Sequence, residues 1–212
     1  MSDTLVQISN AVIEGRVKDA PGLTHNALQA GLTAKDILDK GLMPGMDVVG
    51  AEFKKGKKFV PEVLLSARTM QASLDILKPL LAEAGAKMTG KVVVGTVKGD
   101  LHDIGKNLVG MMLEGSGFEV VDLGKDVAPE KFVDAVKKEK PNIVAMSALL
   151  TTTMRSMGHT VTALKEAGLR DAVKIMIGGA PVTADFAAQI GADAYAPNAP
   201  AAAELAKKFV SA

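Results

Sequence analysis

The chain has 212 residues, with 25 Lys and Arg against 24 Asp and Glu, which gives a formal net charge of +1. This length allows one large or two small domains, and the balanced charge creates no field directed at nucleic acid or membranes. Because Cys is absent, disulfides, thiolate metal sites and cysteine nucleophiles are excluded, which is consistent with a cytoplasmic protein. Neither a secretory signal nor an apolar run of about 18 residues is found, so no membrane span is expected.

The first part of the chain, residues 1–84, predicts helices only. Apolar residues recur at helical spacing, and Pro21, Pro44 and Pro61 each stand where a helix can begin. Thr33 is expected to cap a short helix that ends at Gly41. A helical bundle domain over 1–84 is therefore predicted.

Residues 85–90 are small and polar and are predicted to form a linker, after which strands and helices alternate over 91–212. Strands are predicted near 92–97, 118–123, 142–147, 173–177 and 193–196. Helices are predicted near 105–115, 129–139, 153–167, 182–190 and 199–210. Five such units with short connections predict an α/β domain with a doubly wound parallel sheet.

The loop after the first predicted strand, residues 98–105, carries the most informative residues. Here His102 follows Asp100 by two residues, where nucleotide-binding folds have phosphate-cradling glycines. An imidazole at the carboxyl end of a strand is well placed to bind a metal, and a nearby carboxylate would fix its tautomer and raise its basicity. Asp103 is expected to cap the following helix rather than bind metal.

Ligands of doubly wound sheets bind beyond the carboxyl ends of the strands, so the loops after strands one, three, four and five matter most. The third strand ends in a hydroxyl-rich segment from Ser147 to Thr153, and the fourth in Gly178-Gly179. Small residues in adjacent loops favour a deep slot beside the strands, where a large ligand contacts the backbone. An ordinary turn is the alternative explanation of Gly178-Gly179.

Taken together, these residues resemble the cobalamin-binding pattern Asp-x-His-x-x-Gly, Ser-x-Leu, Gly-Gly. The chain has Asp100 to Gly105, then 41 residues, Ser147 to Leu149, then 28 residues and Gly178-Gly179. The resemblance extends over nearly the whole chain and implies a helical cap followed by a flavodoxin-like domain. The chain is similar to the corrinoid subunits of methylamine, methanol, glycine betaine and methoxyaromatic methyltransferase systems, and to the cobalamin-binding module of methionine synthase.

The resemblance implies that His102 is the lower axial cobalt ligand of a base-off cobalamin. Asp100 would hydrogen-bond the distal imidazole nitrogen, and Ser147 would extend that relay. The nucleotide tail would fill a slot lined by Ser147, Leu149 and Gly178-Gly179. The residues expected at the cofactor are Gly99, Asp100, His102, Asp103, Ile104, Gly105, Ser147, Leu149, Thr151, Thr152, Gly178, Gly179, Tyr195 and Asn198.

The helical half is expected to shield the upper face of the corrin, with Met43, Val63 and Met70 among the lid residues. The run from Lys54 to Lys58 is either a docking site or a solvated helix end.

The predicted function is that of a methyl-carrying corrinoid protein that cycles between methylcobalamin and cob(I)alamin. Its implied partners are a donor-specific methyltransferase, a second methyltransferase acting on tetrahydrofolate or a thiol coenzyme, and a reductive activation protein. With neither a Ser/His/Asp set nor a zinc site, the chain is expected to catalyse no complete reaction alone. The alternatives are a cobalamin-dependent sensor or regulator and the cobalamin subunit of an adenosylcobalamin isomerase.

Overall fold

The computed structural model describes residues 3–85 and 88–211 of the chain. Two compact units are present: residues 1–88 with 115–117, and residues 89–114 with 118–212. The predicted linker includes Ala86 and Lys87, which lie outside the described residues, and the predicted domain boundaries stay predictions.

All the regular secondary structure described in residues 3–85 is helical. The helices are α1 (Asp3–Glu14), α2 (Ala20–Gln29), α3 (Ala34–Ile37), α4 (Met43–Lys54) and α5 (Val60–Glu83). The Thr33 side chain accepts a hydrogen bond from the Asp36 amide at 3.0 Å, which confirms the predicted cap of α3.

The predicted helix end at Gly41 is wrong. A π-helical turn, Leu38–Leu42, continues α3 directly into α4. A Cβ on Gly41 would lie 3.2 Å from Cγ2 of Ile8, so the glycine permits close packing against α1 rather than ending the helix.

The second unit alternates strands and helices, as predicted. Its strands are β1 (Gly90–Thr96), β2 (Phe118–Asp122), β3 (Ile143–Ser147), β4 (Lys174–Gly178) and β5 (Ala194–Tyr195). Its helices are α6 (Ile104–Gly115, of which the last residue belongs to the first unit), α7 (Pro129–Glu139), α8 (Arg155–Glu166), α9 (Ala184–Ile190) and α10 (Ala199–Ser211), with a 3-10 turn at Arg170–Ala172. The strands are parallel, in the order β2-β1-β3-β4-β5.

Both faces of this sheet are covered, which explains the nearly continuous apolar strands. One core contains Val93 of β1 with Phe132 of α7 and Met157 of α8. The other contains Val92 and Val94 with residues of α6 and α10. The α/β fold with a doubly wound five-stranded sheet is thereby confirmed.

The order of the strands also determines where loops meet. Thr96 of β1 pairs with Ser147 of β3, which in turn pairs with Gly178 of β4. The loops that follow these strands therefore begin side by side at one edge of the sheet.

Candidate functional site

The loop after β1 turns sharply before α6. Gly99 has φ +85°, a backbone conformation that is unfavourable for residues with a side chain. The Asp100 amide donates to the carbonyl of Val97 at 3.1 Å. The Thr96 hydroxyl donates to the carbonyl of His102 at 3.0 Å. These contacts fix the backbone that carries Asp100 and His102.

Asp100 and His102 contact each other directly. The Oδ1 atom of Asp100 lies 2.8 Å from Nδ1 of His102 and accepts from the His102 amide at 3.0 Å. The Asp100 side chain is fully buried, whereas that of His102 is 50% exposed. The pair therefore presents an accessible imidazole on a buried carboxylate.

The other carboxylate oxygen of Asp100 is held by the loop after β3. Oδ2 accepts from the Thr153 hydroxyl at 2.6 Å and from the amide of Leu149 at 2.8 Å. Burial by itself would raise the pKa of Asp100, but the donors Thr153, His102 and Leu149 outweigh it and hold that pKa well below its usual range.

Because an ionised carboxylate only accepts hydrogen bonds, Nδ1 of His102 must be the donor. The neutral ring therefore has its lone pair on Nε2. This is the nitrogen that a metal can bind.

Thr153 was missed by the sequence prediction, which selected its neighbours Thr151 and Thr152. Thr153 is buried, and its hydroxyl also donates toward the carbonyl of Leu150 at 2.9 Å. Thr151 and Thr152 are exposed on the same loop. The hydroxyl-rich segment is visible in the sequence, but only the fold determines which of its hydroxyl groups faces Asp100.

Ser147 lies at the end of β3, half-buried, and its carbonyl accepts from the amide of Val97 at 3.0 Å. The hydroxyl that bonds Asp100 in the structure belongs to Thr153, and a relay through Ser147 stays a prediction. Leu149 and its neighbour Leu150 leave 44% and 43% of their surfaces exposed.

Gly178 and Gly179 lie where a side chain would strike the backbone. A Cβ on Gly178 would be 2.9 Å from the carbonyl oxygen of Ala196. On Gly179, whose φ is +132°, it would be 1.8 Å from that of Ala148. At these two glycines the backbones of the loops after β3, β4 and β5 approach one another closely. This approach is closer than an ordinary turn requires.

Two of the residues predicted at the cofactor, Tyr195 and Asn198, lie in β5 and in the loop that follows it. Asn198 caps α10, because its Oδ1 accepts from the amide of Ala201 at 2.9 Å. Tyr195 is half-buried and packs against the core on one side of the sheet. Any contact of these two residues with a cofactor stays a prediction.

The start of α6 is apolar and open. Ile104 exposes 76% and Leu101 exposes 62% of its surface, and no atom lies within 4 Å of a Cβ built on Gly105. The carbonyl of Asp103 accepts the amide of Asn107 at 2.8 Å and so begins the helix. Space beside His102 is thus bordered by apolar side chains and a glycine.

The residues expected to form a lid lie in the helical unit. Val63 and Met70 are buried, at 0% and 1% exposure, and Met43 is half-buried. Phe59, directly before α5, exposes 66% of its surface. The assignment of Met43, Val63 and Met70 to a lid stays a prediction.

The lysine run after α4 is partly tied to the helical unit. Nζ of Lys58 donates to the carbonyl of Ile13 at 2.8 Å, and only 14% of its side chain is exposed.

The residues of the second unit fit a corrinoid. His102 offers one accessible imidazole, exposed apolar side chains flank it, and the glycines bring three loops into close backbone contact. Among residues 3–85 and 88–211, there is no group of three or more His, Asp or Glu able to hold a bare metal ion.

Two family models match the chain. Both describe a B12 binding domain, one over residues 90–205 and the other over residues 5–78. The chain belongs to the B12-binding family. Its cofactor is cobalamin.

Proteins named as methylamine corrinoid proteins are similar to this chain over nearly their full length. Trimethylamine corrinoid protein 2 of Methanosarcina mazei is 43% identical over 199 residues, 93% of this chain and 91% of the relative. Dimethylamine corrinoid protein 1 of Methanosarcina acetivorans is 43% identical over 211 residues, 99% of this chain and 98% of the relative.

A solved structure agrees with this assignment. The methanol:cobalamin methyltransferase complex MtaBC from Methanosarcina barkeri contains a chain that is 36% identical, with a TM-score of 0.88. The alignment covers 100% of this chain and 81% of that one. Within the described part of this chain, the helices are too short or too polar to cross a membrane.

Proposed function

We propose that this protein is the methyl carrier of a cobalamin-dependent methyltransferase system. It accepts a methyl group from a donor-specific methyltransferase and delivers it to a second one acting on tetrahydrofolate or a thiol coenzyme. The observation that carries the proposal is the accessible ring of His102, held through Nδ1 by buried Asp100. The relatives named for trimethylamine and dimethylamine systems support it.

In this proposal, Nε2 of His102 is the lower axial ligand of a base-off cobalamin. Bound cobalamin supplies a cobalt centre that takes up and releases a methyl group. Asp100 fixes the tautomer and orientation of the ring, and Thr153 and the Leu149 amide fix Asp100. Since these donors come from the loop after β3, the two loops position the ligand together.

The same contact orients the ring in the absence of the metal, because Nδ1 of His102 donates to anionic Asp100 at 2.8 Å.

The nucleotide tail would lie beside the sheet, along Ser147, Leu149 and Gly178-Gly179. This placement is supported by the two positions where a Cβ meets a backbone oxygen, because they bring main chain close to the slot.

The proposed partners are the two methyltransferases and a reductive activation protein. The related chain in MtaBC belongs to a complex with a methyltransferase, which supports the first kind of partner.

Electron paramagnetic resonance of the cobalt(II) form tests the axial ligand. We expect the axial nitrogen splitting of the reconstituted protein to change from a triplet to a doublet when its histidines carry ¹⁵N. The splitting should be lost in His102→Ala and kept in His159→Ala, a control because His159 is exposed on α8. A splitting indifferent to the label would mean that the cofactor retains its own base.

Methyl transfer tests the carrier role. The loaded protein is reduced, methylated with methyl iodide, and mixed with purified candidate methyltransferases. We expect the methyl group to reach tetrahydrofolate or a thiol acceptor at a rate proportional to the protein concentration. A sensor or an isomerase subunit would yield no methylated acceptor.

A further inference from the structure

The connection between β2 and α7, residues 123–128, contacts the His102 loop from the side opposite β3. At its centre is Asp126, whose Oδ1 accepts from the amide of Gly99 at 2.8 Å. The Asp126 amide donates to the carbonyl of Asp100 at 3.0 Å. One residue thus holds both ends of the Gly99–Asp100 segment.

Asp126 adopts an unusual backbone conformation to make these contacts. Its φ is +54°, one of two positive values among the described non-glycine residues. Asp and Asn tolerate this region better than other side chains, and such a conformation persists only where the surroundings enforce it. The amide of Val127 donates to the carbonyl of Thr96 at 2.9 Å and so anchors the connection beside the end of β1.

The charge of Asp126 suits this contact. The amide of Gly99, and then the ammonium of Lys98, lower the pKa of Asp126, so it remains an anionic acceptor at neutral pH. The Lys98 ammonium lies 3.3 Å from Oδ1. Since 42% of the Asp126 side chain is exposed, we expect its contribution to be moderate.

We propose that Asp126 is a positioning residue for the axial histidine. It fixes the Gly99–Asp100 segment, and thereby the orientation in which the Asp100 carboxylate holds Nδ1 of His102. This inference rests on the proposed role of His102 as cobalt ligand. Asp126 itself does not contact the ring, so its effect passes through Asp100.

Three substitutions of Asp126 separate the contribution of its side-chain acceptor from that of its backbone conformation. Asp126→Asn keeps an acceptor for Gly99 and tolerates the backbone conformation, whereas Asp126→Gly removes the acceptor without adding strain. Asp126→Ala removes the acceptor and adds strain. Each variant is loaded with cobalamin for the measurement of the cobalt(II) EPR spectrum and the cobalt(II)/cobalt(I) potential, and unfolding of the apoprotein is followed in urea.

Because the axial ligand binds cobalt(II) and not cobalt(I), weaker ligation raises this potential. For Asp126→Gly and Asp126→Ala we expect ligation about three- to tenfold weaker, the range for one hydrogen bond. The potential should rise by about 30 to 60 mV, with a matching increase in cobalt(II) lacking the nitrogen splitting. Asp126→Asn should match the wild type in both measurements.

The inference is overturned if Asp126→Gly keeps the wild-type potential and spectrum, even where its apoprotein is less stable. A wild-type spectrum insensitive to ¹⁵N-histidine would instead overturn the proposed function, and this inference with it. The spectrum of the ¹⁵N-labelled wild-type protein therefore distinguishes failure of the proposed function from failure of this inference.

Discussion

The hydroxyl of Thr153 lies 2.6 Å from Oδ2 of Asp100, 53 positions earlier in the chain. This bond joins the loop after β3 to the loop that carries the proposed cobalt ligand. Since Asp100 is fully buried, its charge is stabilised by such donors, and losing the Thr153 hydroxyl leaves Oδ2 with backbone amide donors alone.

Replacing Thr153 with Val should therefore weaken both the fold and the site. We expect the free energy of unfolding of the apoprotein to fall by about 1 to 3 kcal/mol, because a charged acceptor loses a buried donor. Urea denaturation measures this change. Thr153→Ser keeps the hydroxyl and should lose much less; a loss in Thr153→Ser as large as that in Thr153→Val would contradict the prediction.

The stability contributed by Asp100 should depend on pH. Because its pKa is lowered in the folded state, its contribution is complete above the unfolded value of about 3.9 and is lost as the pH falls through the folded value. The difference in unfolding free energy between wild type and Asp100→Asn should thus be largest near pH 7 and shrink below about pH 4. Apoprotein unfolding from pH 7 to 3 measures it, and a difference constant over that range would contradict the prediction.

Gly179→Ala should prevent the normal approach of two loops. The new Cβ would lie 1.8 Å from the carbonyl oxygen of Ala148, at φ +132°, so the backbone must move. We expect a loss of more than about 3 kcal/mol in stability, or failure to fold. In Gly110→Ala, the matched control, the nearest atom would be 3.8 Å away, and that variant should be as stable as the wild type or more so.

The ion pair between Lys106 and Asp122 joins the start of α6 to the end of β2. The Lys106 side chain is 3% exposed, whereas that of Asp122 is 47% exposed. Asp122→Ala should therefore cost more stability than Lys106→Met, about 1 to 3 kcal/mol, because it removes the anionic partner of a buried ammonium, whose other acceptor, Oδ1 of Asn107 at 2.7 Å, is neutral. A double-mutant cycle in urea measures the coupling, and equal losses in the two single variants would refute this reasoning.

The sequence predicted those features that depend on local pattern. Apolar β-branched strands alternating with amphipathic helices indicated a doubly wound sheet, and parallel strands bring the loops holding Asp100 and Gly179 to one edge. The spacing from Asp100 to His102 also places the two side chains within hydrogen-bonding distance, since only one residue separates them.

What the sequence could not provide were contacts decided by tertiary packing. Thr151, Thr152 and Thr153 are chemically identical, and only the orientation of the loop turns Thr153 toward Asp100. Gly41 resembles a helix end, but its missing side chain serves the packing of Ile8. Asp126 lies in the loop after the second strand, to which the prediction gave no role, and the sequence does not reveal its positive φ.

The close approach of Gly179 to Ala148 restricts how this protein can diverge. A larger residue at position 179 becomes acceptable only after the main chain at position 148 has retreated, so the two loops must change together. Substitutions are therefore tolerated more easily at positions such as Thr151 and Thr152, whose side chains are exposed. An engineer replacing Gly179 would have to redesign both loops in one step.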